Sequence, residues 1–222
     1  MSEVTAPGSG EAATRATEED AFYHEAALNA AWTGARLAIG SLFFLYGAFA
    51  FAYFYLSSSG GHSKWLPSST TPPQAGYGVA IMVLIVVSAL VQTVGLQQIK
   101  AGRKGPWARA ALLALVLGLV AVALQIVELL NLPFQPGESG FASVFVGFYP
   151  VALVIWLGAM IWLEILVMRA RGIPAIFFVE QPPTYAETQT VQRFQSALSG
   201  FTTVWNYLAV VVFIFWLLFY VR

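Results

Sequence analysis

AALLALVLGLVAVALQIVELL, residues 110–130, decides what kind of chain this is. An α-helix rises about 1.5 Å per residue, so about 20 residues cross a hydrocarbon layer about 30 Å thick with every backbone group paired inside the segment. Only Gln125 and Glu128 interrupt the run with a polar group, and at a spacing of three they share one helix face. Working outward, four more stretches meet the same requirement: 37–56, 78–96, 141–167 and 203–221. The fourth in chain order, 141–167, is long enough to tilt and carries Pro150 where a kink is expected. The expectation is an all-α, five-transmembrane-helix bundle over residues 35–222, preceded by a polar, acidic segment over 1–34.

Composition agrees. Of 222 residues, 58% are hydrophobic and only 10% charged, where a soluble domain carries about 25%. The mean hydropathy is +0.71. With no cysteine, disulfides, thiolate metal sites and cysteine nucleophiles are excluded. A formal net charge of zero argues against nucleic acid as a partner. The N-terminal region bears Glu3, Glu11, Glu18, Glu19, Asp20 and Glu25 against Arg15, which is not the basic start of a cleavable signal, so the first span is expected to stay in the mature protein.

Between the spans, 57–77 is a Ser/Pro/Gly-rich loop, 100–109 is short and basic, and 131–140 holds two prolines and Glu138. In the longest connection, Pro182 and Pro183 precede Thr184-Tyr185-Ala186-Glu187, which fits a capping box. Val191, Phe194, Leu198 and Phe201 follow at helical spacing, predicting a surface helix or an extension of the fifth span. Arg15, Arg36, Lys100, Arg103, Lys104, Arg109, Arg169, Arg171 and Arg193 fall on one side of a five-span topology, and only Lys64 and Arg222 on the other. Positive charge stays inside, so the N-terminus is expected in the cytoplasm and the C-terminus outside.

The spans contain neither histidine nor cysteine; His24 precedes them and His62 lies in the first loop. A haem or copper centre needs imidazole or thiolate ligands, so no catalytic, cofactor or metal site is expected in this chain. Met82, Met160 and Met168 read as packing residues. Glu128 and Glu164 are the ionisable groups within spans, at opposite ends of the bilayer, and with Gln125 are candidate structural polar contacts between helices. The rival role, a proton relay, calls for several such groups strung across the membrane. In the first span Gly40, Ser41, Gly47 and Ala48 form a candidate packing face, and much of the remainder is aromatic. The alternative there is a groove for lipid or a partner helix.

Four stretches in order resemble subunit III of the haem-copper (cytochrome c) oxidases in its short five-helix bacterial form. They are Ser41-Leu42-Phe43-Phe44 through Ala50-Phe51-Ala52-Tyr53-Phe54-Tyr55-Leu56; Leu124-Gln125-Ile126-Val127-Glu128; Gly140-Phe141-Ala142-Ser143-Val144-Phe145 through Gly147-Phe148; and Trp205-Asn206-Tyr207 through Phe219-Tyr220. The chain departs from the family at Leu42, where a carboxylate is usual, at Tyr149 and Asn206, where histidine is usual, and at Ala209, where aspartate is usual. The resemblance implies a noncatalytic, multi-pass subunit of a terminal oxidase in the bacterial cell membrane, serving aerobic electron transport. It would pack beside catalytic subunit I, with subunit II in the same complex, and bind phospholipid in a groove. Haem and copper would lie in the partner. Alternatives are the paralogous subunit of a nitric oxide reductase and, from another class, a small membrane transporter or channel.

Overall fold

The computed structural model describes residues 9–59, 65–67, 72–179 and 184–221. His62, Lys64, Pro182, Pro183 and Arg222 lie outside them, as do the side chains of Arg15 and His24. The described residues form five long helices and no strand: α1 (Ser9–Ser59), α2 (Ala75–Lys100), α3 (Lys104–Leu130), α4 (Gly140–Arg171) and α5 (Tyr185–Tyr220), with a 3-10 turn at Ala175–Phe178 before α5. Each of the five contains a stretch long and apolar enough to cross a membrane. The chain is an all-helical, multi-pass membrane protein.

Every helix overruns the apolar stretch that announces it. Hydropathy marks only what must avoid water, whereas the backbone ladder, once nucleated in the apolar stretch, can continue through flanking polar residues. α1 extends back through the acidic segment to Ser9, and α5 runs unbroken from Tyr185, so the helix after Thr184 is an extension of the fifth span and not a separate surface helix. Its start is fixed by the capping box. Glu187 N donates to Thr184 Oγ1 at 3.4 Å and Thr184 N donates to Glu187 Oε2 at 3.2 Å, satisfying two backbone donors that a helix start leaves free. Ser139 caps α4 with a single bond of this kind, accepting from Ala142 N at 3.1 Å. Between α2 and α3 the chain reverses through Gly102, whose φ of 76° is a conformation that a Cβ disfavours. Lys104 Nζ then donates to Ile173 O at 2.5 Å, tying that corner to the far end of α4.

α5 sits among α1, α2 and α4, while α2 packs most extensively on α3, and α3 on α4. α1 is the outlier: only 6% of its apolar stretch is buried, against 33% or more in the others. It attaches through Ala35 and Tyr46, both buried, and the Tyr46 ring lies 5.9 Å from that of Phe148 and 6.1 Å from that of Phe215. Gly40, Ser41, Gly47 and Ala48 point away from the bundle; at Gly40 and Gly47 an added Cβ would meet nothing within 4 Å. Within this chain, α1 therefore fills the interface with aromatic volume, and those small residues make none of its packing. Close backbone approach happens one turn earlier. A Cβ built on Gly200 of α5 would lie 2.9 Å from Ala35 Cβ and 3.1 Å from Ala31 O.

Candidate functional site

Near the end of α3, Glu128 is only 3% exposed, and two phenols from two other helices converge on it. Tyr220, the last residue of α5, donates to Glu128 Oε1 at 2.5 Å, and Tyr149 of α4 donates to Oε2 at 2.9 Å. The two hydroxyls also bond each other. One turn back on the same face of α3, Gln125 Nε2 donates to Tyr149 O at 3.1 Å. Gln125 thus grips the backbone of the residue whose hydroxyl Glu128 holds. The Phe145 ring stacks on that of Tyr149 with centroids 4.1 Å apart. The end of α5 comes in close because Gly78 of α2 offers no side chain; a Cβ there would lie 2.5 Å from Tyr220 Cζ.

The cluster lies between two spaces. A crevice of about 190 Å³ reaches Glu128 from the loop end, walled by Pro73, Gln74 and Tyr77 before and within α2 and by Asn131 and Leu132 after α3. On the other side of the phenols is a cavity of about 30 Å³, bordered by Gln125, Tyr149, Trp156, Trp216 and Tyr220. That is room for one or two waters, and the Nε1 atoms of Trp156 and Trp216 are buried without a hydrogen-bond partner among the described residues. The carboxyl and two phenols make a ring of three hydrogen-bonded contacts. Two phenol protons fill two of them, and a proton on Glu128 fills the third.

A second polar layer joins α2 to α5 deeper in the bundle. Trp205 Nε1 donates to Ser88 Oγ at 3.2 Å, and Ser88 Oγ donates to Ala114 O at 2.8 Å. Asn206 Nδ2 donates to Thr93 Oγ1 at 3.0 Å, and Gln92 Nε2 donates to Thr202 Oγ1 at 3.4 Å. Each buried donor here finds an acceptor that hydrocarbon would not offer.

Of the sequence candidates, the structure brings Gln125 and Glu128 to one place and buries both. Glu164 is elsewhere, exposed on α4, with no hydrogen bond or ion pair to a described residue. Tyr149 and Tyr220 are the site residues that sequence reasoning missed. A tyrosine in a span reads as an interfacial anchor, and nothing local separates an anchor from a carboxyl's partner. Among the described residues, no group of three His, Cys, Asp or Glu side chains stands ready for a metal. In comparisons with known proteins, no family model matches the chain, and no curated protein matches it.

Proposed function

We propose that the chain is a noncatalytic, subunit III-like component of a bacterial haem-copper terminal oxidase, seated in the cell membrane with its N-terminus in the cytoplasm. It stabilises a catalytic subunit that carries the haem and copper, and it binds lipid. One observation supports this above the rest. The four stretches that carry the resemblance lie on four helices, and bonds at one end of the bundle join all four. Tyr53 OH of the first donates to Leu218 O of the last at 2.7 Å, Glu128 ends the second, Tyr149 follows the third, and Tyr220 ends the fourth. A mutually bonded set is what residues selected to hold a shape would form. The orientation rests on the clustering of Lys and Arg at the opposite end.

The test is purification from native membranes in mild detergent, with a visible spectrum of what accompanies the chain. The expected result is haem bands from a co-purifying subunit, and a colourless, metal-free chain once separated from it. Recovery solely as a free monomer or homo-oligomer, with no haem protein, defeats the proposal and favours the transporter reading.

A further inference from the structure

The small cavity behind the phenols lies within the membrane-spanning part of the bundle. Trp156 borders it from α4, two turns past Tyr149, and Trp216 borders it from α5, one turn before Tyr220. Each indole Nε1 is buried without a hydrogen-bond partner among the described residues. Trp156 is only 1% exposed, and its ring stands edge-on to that of Trp205 with centroids 4.9 Å apart, which limits where its N–H can point. Trp205 is provided for, since its Nε1 donates to Ser88 Oγ. Hydrocarbon offers no acceptor, so a buried indole N–H left unpaired carries the full penalty of its lost hydration. Two such donors on one cavity call for an acceptor inside it.

Size and charge say which acceptor fits. The cavity measures about 30 Å³, and a single water needs about 10–15 Å³ on the same measure, so an organic ligand is too large. Chloride also accepts from indoles, but no Lys or Arg borders the cavity to offset a charge held inside the membrane. A wholly apolar cavity stays dry, whereas this one is also bordered by Gln125. The Gln125 Nε2 is already engaged with Tyr149 O, and its Oε1 accepts from no described residue. We propose that the cavity binds one or two ordered waters, which accept from Trp156 Nε1 and Trp216 Nε1 and donate to Gln125 Oε1. These waters complete the hydrogen bonding between α3, α4 and α5 where the side chains do not reach one another. The site belongs to the chain by itself and stands apart from the oxidase reading.

The test is nuclear magnetic resonance of the full chain in lipid nanodiscs, with nitrogen-15 in the indoles of its seven tryptophans. Magnetisation transfer from water protons is expected at the Trp156 and Trp216 indole N–H and not at that of Trp205, which has a protein acceptor. Replacing chloride by gluconate should move neither peak. A152V places two methyl groups on the cavity wall, so it should erase the transfer at both indoles and lower the thermal unfolding midpoint. Transfer relayed only by the tyrosine hydroxyls would survive A152V. No transfer at Trp156 or at Trp216, equal transfer at Trp205, a peak that follows chloride, transfer that survives A152V, or a midpoint raised by A152V because dry space has been filled would each overturn the proposal. Should A152V fail to fold, the wild-type transfer and the chloride exchange decide it alone. Haem co-purification is read separately, so the oxidase reading can fail while this site stands, and the reverse.

Discussion

Tyr220 and Glu128 are 92 residues apart in sequence, yet the Tyr220 hydroxyl donates to Glu128 Oε1 at 2.5 Å and fastens the end of α5 to the end of α3. Lipid tails are as apolar as leucine, so helices in a bilayer are held by close packing and by a few polar contacts such as this one. The value of each contact can be measured by removing it.

Glu128→Gln should unfold close to the wild-type temperature in detergent, because an amide still accepts from one phenol and donates to the other. Glu128→Leu should be destabilised by about 1–3 kcal/mol, towards the lower end, since Tyr149 and Tyr220 keep each other as partners. Thermal unfolding of the two variants side by side checks this. Should Gln prove as harmful as Leu, the carboxyl does something other than accept hydrogen bonds, and proton handling gains ground.

Gly78→Ala tests whether those bonds lock the Tyr220 ring. The new Cβ would stand 2.5 Å from Tyr220 Cζ, and a free ring tip would simply swing aside. Held by Glu128 and Tyr149, it should not, and the expected loss is about 1–3 kcal/mol, the usual cost of overpacking. In a Tyr220→Ala background the same change should be almost neutral, which a double-mutant cycle reads directly. A small effect in the wild-type background would show the ring to be loose.

At α1, two glycines should behave in opposite ways. Gly200→Ala pushes a methyl group against Ala35 Cβ and Ala31 O, so it should prise α1 from α5 and speed proteolysis within α1. Gly47→Leu faces open space and should leave the unfolding midpoint of the isolated chain within about 0.5 kcal/mol of the wild type. Any effect of Gly47→Leu should be confined to co-purification with a partner. A midpoint lowered by Gly47→Leu would mean that α1 is rotated from the arrangement described.

Ser88→Ala deprives Trp205 Nε1 of its acceptor deep in the bundle. Contacts of this kind between membrane helices average about 0.6 kcal/mol, while an orphaned buried donor costs about 1–3 kcal/mol. The expected loss is about 1 kcal/mol, with Trp205→Phe nearly without further cost once Ser88 is gone. Equal losses for Trp205→Phe in the two backgrounds would show that the indole N–H contributes nothing through Ser88.

The number of spans, their order and the capping box at Thr184 were legible because each is settled locally. An apolar run must satisfy its own backbone as a helix, and a cap is built from residues three apart. The buried pair Gln125 and Glu128 was legible too, since a polar group in an apolar run is costly unless something receives it. What received it was not. Tyr149 and Tyr220 look in sequence like Tyr55 or Tyr77, and only the approach of α4 and α5 to the end of α3 separates them. The inward face of α1 was hidden for a related reason. In water, the buried side of a helix is marked by its apolar residues, but a membrane helix is apolar all round, so Phe44, exposed to 78%, and Phe141, exposed to 1%, carry the same local signal. Which segments cross the membrane follows from what each must do alone; which side chains meet follows from packing, where the solvent no longer tells inside from outside.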